Sequence, residues 1–181
     1  REAAEQAISA ARGLNYPNAL NLPLKLEDLP RGIEPYINLV SKMAYLAAQI
    51  NKGPIKSIRI EGSGEVVQYL KSMLVFAIVG ALHDSLGDSL NYVNAKFLVD
   101  EKGIETSFGE LARSVYKSEI SVKVTTDKAI SNVAGTVFDG SEERIVNIGG
   151  FKTDFKPKGK MIIFKNTDVP GVIKSVRTIL A

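Results

Sequence analysis

Reactive side chains are scarce in this chain of 181 residues, and the scarcity narrows its chemistry. There is no cysteine, which removes disulfides, thiolate nucleophiles, iron–sulfur clusters and cysteine zinc sites together. The single histidine, His83, would have to be the base of any Ser-His-Asp arrangement. Near the end of an apolar helix, it better suits a partner for the helix's C-terminal dipole. Gly62-Ser63-Gly64 lies at a predicted strand-to-helix turn, where backbone amides could cradle a phosphate. It has neither the Walker lysine spacing nor a full GxGxxG pattern, so a plain turn is the stronger reading. Asn91 and Asn94 suit capping and lining a helix, with a ligand contact as their other use. Asp168, just before Pro170-Gly171, can cap the helix that those residues open. Lys152, Lys156, Lys158, Lys160 and Lys165 crowd one stretch, relieved by Asp154 and Asp168, with Arg144 on the strand before it. Lysines often blunt a solvated sheet edge in this way. The stretch lacks the interleaved aromatics of a nucleic-acid stacking platform, and a net charge of +3 is too mild to demand such a partner.

The elements that would position these groups are legible from periodicity. Hydrophobic residues make up 45% and charged residues 24%, the balance of a chain that packs a core. Residues 3–12 read as an alanine-rich helix stopped by Gly13, and the prolines and asparagines of 15–23 as an extended linker. The chain opens in mid-helix without a start methionine, as an excised piece would. Ile33, Tyr36, Ile37, Val40, Met43, Ala44, Ala47 and Ile50 repeat at three and four, one face of a helix begun near Pro35. Ile55–Ile60 reads as a strand, Glu65 to about Leu82 as a second helix and Asn91–Lys102 as a third. The uncharged run Met73–Leu82 spans ten residues, half of the roughly 20 that a bilayer crossing needs, and is therefore expected inside a core, not a membrane.

Beyond residue 119 the period falls to two. Ile120–Val124, Val133–Phe138, Arg144–Ile148 and Phe151–Phe155 read as strands, the last two joined by Gly149-Gly150. Met161–Phe164 is an apolar strand, and Val172, Ile173, Val176, Ile179 and Leu180 share one helix face. Helices followed by such strands predict an α+β fold, with helices on a mostly antiparallel sheet. The hairpin register decides where the cations go. A two-residue turn at Gly149-Gly150 pairs Arg144 with Phe155 and sends Arg144 and Lys156 to opposite faces, whereas a three-residue loop unites them.

Three segments carry a resemblance. The first is Ala-Arg-Gly-Leu-Asn-Tyr-Pro-Asn-Ala-Leu-Asn-Leu-Pro at 11–23. The second is Ile58-Arg59-Ile60-Glu61-Gly62, followed by Leu90-Asn91-Tyr92-Val93-Asn94-Ala95 and Glu101-Lys102-Gly103-Ile104-Glu105. The third is Asn166-Thr167-Asp168-Val169-Pro170-Gly171-Val172-Ile173. In this order they resemble the long-form D-3-phosphoglycerate dehydrogenases. The resemblance implies that residues 1–23 end the catalytic half, that 24–157 form an intervening (allosteric substrate-binding) domain, and that 158–181 begin an ACT domain of ferredoxin-like strand and helix.

That resemblance implies an NAD-dependent, cytoplasmic enzyme of L-serine biosynthesis. Its nicotinamide loop and catalytic residues would precede Arg1, leaving no catalytic or cofactor-binding residue here. It implies that Asn166 and Asp168 contact an L-serine effector, although Val169 departs from the arginine common there and the remaining contact would fall beyond Ala181. It also makes Arg144, Lys152 and Lys156 candidates for an anionic effector or the phosphorylated substrate. The expected partners are the chain's own catalytic domain, a small-molecule effector and further copies in a homo-oligomer. The alternative is a free-standing ligand-binding module like that of the bacterial L-serine dehydratases. The segment 1–23, similar to a dehydrogenase's end, separates the two.

Overall fold

The computed structural model describes Pro30 and residues 32–163. Its first element, α1 (Glu34–Ile50), has a proline in the first turn and buries Tyr36, Ile37, Leu39, Val40, Met43, Ala44 and Ala47, the face set by the three-and-four spacing. Strand β1 (Ile55–Ser63) follows, then a 3-10 turn (Gly64–Tyr69) leading into α2 (Leu70–Leu86). The uncharged run lies inside α2, with Met73, Ala77, Ile78, Ala81 and Leu82 in the core. The span Gly64–Ser89 has the length and hydropathy to cross a bilayer, but over half of its apolar window is buried within this fold. A short 3-10 turn (Gly87–Ser89) and α3 (Ala95–Glu101) complete the helices among the described residues.

Six strands form one sheet in the order β2-β1-β3-β4-β5-β6. They are β2 (Glu105–Glu110), β3 (Glu119–Thr126), β4 (Ile130–Phe138), β5 (Glu142–Ile148) and β6 (Phe151–Phe155) beside β1. Only β1–β2 is parallel; every other pair is antiparallel. Ile58 and Ile60 of β1, Ile120, Val122 and Val124 of β3, Val133 of β4 and Ile145 of β5 meet Leu39, Met43, Met73 and Ile78 from the helices in one core. The fold is α+β, as its pattern of elements predicts.

Local differences from the sequence reading have physical causes. Glu61-Gly62-Ser63 continues β1 because it pairs with Ser121, Ile120 and Glu119 of β3. The turn comes at Gly64, where φ is +70° and a Cβ would lie 2.0 Å from the Lys117 carbonyl oxygen. The third helix starts at Ala95, since Asn91 and Asn94 are consumed in the preceding turn. Asn91 Oδ1 accepts from the backbone amides of Val93 and Asn94, and Asn94 Oδ1 accepts from that of Asn91 (2.8–3.0 Å). Strand β2 has no apolar alternation to announce it; it is a largely exposed edge held by its parallel partner. Met161–Ile163, expected in a strand, have no strand structure. Met161 and Ile163 instead border a groove over α1 and α2 together with Tyr45, Leu46, Val79 and His83. The expected helix at 3–12, the linker and the strand–loop–helix unit beyond Ile163, with Asn166 and Asp168, lie outside the described residues.

Candidate functional site

The β5–β6 hairpin decides what the basic residues can do. Its turn is tight: Ile148 faces Phe151 across Gly149 and Gly150, whose φ values of +57° and +90° suit glycine. Gly150 N donates to Asn147 Oδ1 at 2.9 Å, closing the loop. The register then slips. Asn147 faces Lys152, but Ile145 faces Phe155, so Thr153 and Asp154 together oppose Val146. This bulge on β6 adds the one residue that the turn does not. Carried one position further, the shifted register sets Lys156 opposite Arg144.

Arg144 and Lys156 therefore share the face of the sheet away from the helices, with two acids between them. Lys156 Nζ donates to Glu142 Oε1 at 2.7 Å. The Arg144 guanidinium reaches Glu142 Oε2 at 3.7 Å with one terminal nitrogen and Asp154 Oδ1 at 3.2 Å with the other. The lysine bond is the main cause holding the Glu142 carboxyl below its ordinary value, with the charge of Lys156 next and that of Arg144 weaker. Arg144 is the most enclosed member, its side chain 29% exposed, and its Nε is shut off from solvent with no acceptor among the described residues. Lys152 is exposed opposite Asn147 and stands outside this ion-paired group. Neighbouring Glu143 pairs with Lys42 of α1 at 2.5 Å, which ties the start of β5 to the helical layer.

Sequence reasoning found the cations but passed over Glu142. The signal was there: an acid two residues before Arg144 on a strand must share its face.

The other candidates resolve differently. At Gly62-Ser63-Gly64, the space beside Gly64 is taken by the Lys117 carbonyl and the Ser118 hydroxyl, and the Glu65 amide already donates to Ser118 Oγ at 3.0 Å. These residues do not fit the pyrophosphate of a dinucleotide. His83 sits in the last turn of α2, exposed, with Nδ1 3.1 Å from Asp84 Oδ1 and its ring edge-on to Tyr45. That hydrogen bond is the leading cause that lowers the Asp84 carboxyl, aided by Gln49 and Tyr45. Among the described residues no group of His, Asp and Glu is placed to hold a metal ion.

Two cavities had no sequence signal. One, of about 500 Å³, opens between the start of α1, the Val115–Ser118 loop and the β4–β5 turn. Its floor is a buried polar network: Tyr36 Oη donates to the Ser118 carbonyl at 3.0 Å and accepts from the Val137 amide at 3.2 Å, and Thr136 Oγ1 donates to the same carbonyl at 2.6 Å. The other, of about 570 Å³, gathers Lys52, Lys56 and Lys102 near Asp84. It lies where α1, α2 and α3 end, so lysine charge there offsets helix-dipole ends.

The comparisons agree with one another. Residues 32–149 match the D-3-phosphoglycerate dehydrogenase intervening domain. The D-3-phosphoglycerate dehydrogenase of Bacillus subtilis is 34% identical over 99% of this chain, which spans 34% of that protein. That of Archaeoglobus fulgidus is 32% identical over 97% of the chain and 34% of its own length. That of Synechocystis is 26% identical over 99% and 33%. The chain thus spans about a third of the curated relatives it matches. With the matched residues covering nearly all of the sheet and helices described above, the chain belongs to the D-3-phosphoglycerate dehydrogenase intervening-domain family.

Proposed function

We propose that this chain is the regulatory and oligomerising segment of a D-3-phosphoglycerate dehydrogenase, a cytoplasmic NAD-dependent enzyme that oxidises 3-phosphoglycerate to 3-phosphohydroxypyruvate for L-serine synthesis. In this reading residues 24–157 sense a small anion, and the linker at residues 14–23 couples that state to the catalytic half. NAD and the catalytic residues belong to that half. Asn166 and Asp168 form part of an L-serine site completed elsewhere, and the segment assembles with further copies of itself.

One observation carries the anion reading: the β6 bulge that brings Arg144 and Lys156 to one face. A guanidinium and an ammonium converging on carboxylate oxygens form a donor set that also suits a phosphate or carboxylate ligand. The relatives favour a dehydrogenase segment over a free-standing dehydratase-like module, because their similarity runs through residues 1–23 as well.

The test is a titration of the isotope-labelled chain with 3-phosphoglycerate and, separately, L-serine, followed by backbone amide shifts. Saturable shifts confined to Arg144, Lys152, Lys156 and their neighbours are expected with 3-phosphoglycerate. Unmoved β5 and β6 amides at millimolar ligand would defeat the anion reading. The same preparation is expected to show no NAD-dependent oxidation of 3-phosphoglycerate.

A further inference from the structure

We infer that Glu142 is an internal occupant of the anion seat, its carboxylate lying where a bound oxyanion would lie, so that effector binding is a displacement. This rests on the reading of the hairpin as an anion site and adds how that site is controlled.

The geometry is that of a filled seat. Glu142 offers one oxygen to Lys156 Nζ at 2.7 Å and the other to Arg144 at 3.7 Å, as a ligand carboxylate would. The first contact is close and the second is long, so this carboxylate satisfies the lysine and underuses the guanidinium. Arg144 Nε agrees with that mismatch: it is buried and meets no acceptor among the described residues. Guanidinium groups prefer a bidentate oxyanion across Nε and one terminal nitrogen. A free phosphate or phosphate monoester, with more oxygens than a tethered carboxylate, can meet the lysine and close on the terminal guanidinium nitrogen that Glu142 holds at 3.7 Å.

Charge agrees with shape. Arg144 and Lys156 are balanced by Glu142 and Asp154, so the cluster is neutral as it stands. Withdrawing Glu142 leaves a net positive seat, with Asp154 still orienting the guanidinium.

Glu142 also has somewhere to go. It is the first residue of β5, beside the Asp139-Gly140 turn, where both residues have positive φ, and its side chain is 42% exposed. Glu143, held by Lys42, keeps the strand in place while the Glu142 side chain swings out. The acid is a competitor on a short tether, and its removal strengthens binding without building a new contact.

The experiment titrates the 181-residue chain with inorganic phosphate at constant ionic strength, following β5 and β6 amide shifts. The wild type is compared with Glu142→Gln, Glu142→Ser and Lys156→Gln, each first checked for an unchanged thermal melt. Phosphate is expected to bind Glu142→Gln and Glu142→Ser about two- to fivefold more tightly than wild type, the factor released by removing one exposed ion pair. Lys156→Gln is expected to lose binding. If wild type and both Glu142 variants bind equally while Lys156→Gln does not bind, the site stands and the displacement is overturned. If none binds phosphate, or Lys156→Gln binds it unchanged, the site and the displacement fall together.

Discussion

Gly80 of α2 crosses α1 so closely that a Cβ added to it would lie 2.2 Å from the Ser41 carbonyl oxygen. The contact is with helix backbone, which cannot rotate away as a side chain can. Gly80→Ala is therefore expected to force the helices apart and destabilise the fold by about 1–3 kcal/mol, despite alanine's better helix propensity. Urea unfolding measures it; an unchanged or higher midpoint would show that the crossing gives way easily.

Tyr36 joins α1 to the central strands through its hydroxyl, at Ser118 just before β3 and Val137 of β4. Tyr36→Phe keeps the ring packed but leaves the Val137 amide without its acceptor, and takes one donor from the Ser118 carbonyl. A fully buried amide stripped of its partner costs about 1–3 kcal/mol, and the Val137 amide is part-buried. The Ser118 carbonyl keeps its bond from Thr136, so the loss is expected near the lower end. A melting point equal to wild type would mean that water replaces the hydroxyl.

Acid tests the Glu142 pair. Its carboxyl is lowered in the folded state, first by the Lys156 hydrogen bond, so the folded protein holds the proton less well than the unfolded chain. The linkage has one sign: the contribution to stability is present above the ordinary value of 4.5 and is lost as pH falls through the lower folded value. Carboxyl-carbon NMR should place the Glu142 midpoint below 4.5 in wild type and closer to it in Lys156→Gln. Equal midpoints in the two proteins would remove Lys156 as the cause.

The core gathers residues between Ile33 and Ile145. A chain shortened to residues 24–157 is thus expected to unfold in one cooperative transition. A broad melt, or different curves by fluorescence and circular dichroism, would show that the removed segments share this core.

What the sequence determined by itself is whatever depends on the burial of one local face. The spacing of Tyr36, Val40, Met43 and Ala47 defined α1, and the alternation of Ile120, Val122 and Val124 defined β3, because one-sided burial imposes periods near 3.6 and 2. Gly149-Gly150 defined a tight turn, since both positions need a positive φ. The segments 11–23, then 58–62, 90–95 and 101–105, then 166–173, in that sequence order, carried the family resemblance. The tertiary structure alone decided what depends on neighbours distant in sequence. Strand β2 has no apolar period, and its parallel bonds to β1 make it a strand. The sequence left Arg144 and Lys156 on opposite faces or the same one, according to a turn length. The turn proved tight, and the residues converged all the same, because β6 gains its extra residue in mid-strand, where Thr153 and Asp154 share Val146. Val146 also marks a slip between β5 and β4, so the register reflects a strand fitted between two partners at once. No local pattern encodes that fit, and it is this fit that places Glu142 between the two cations.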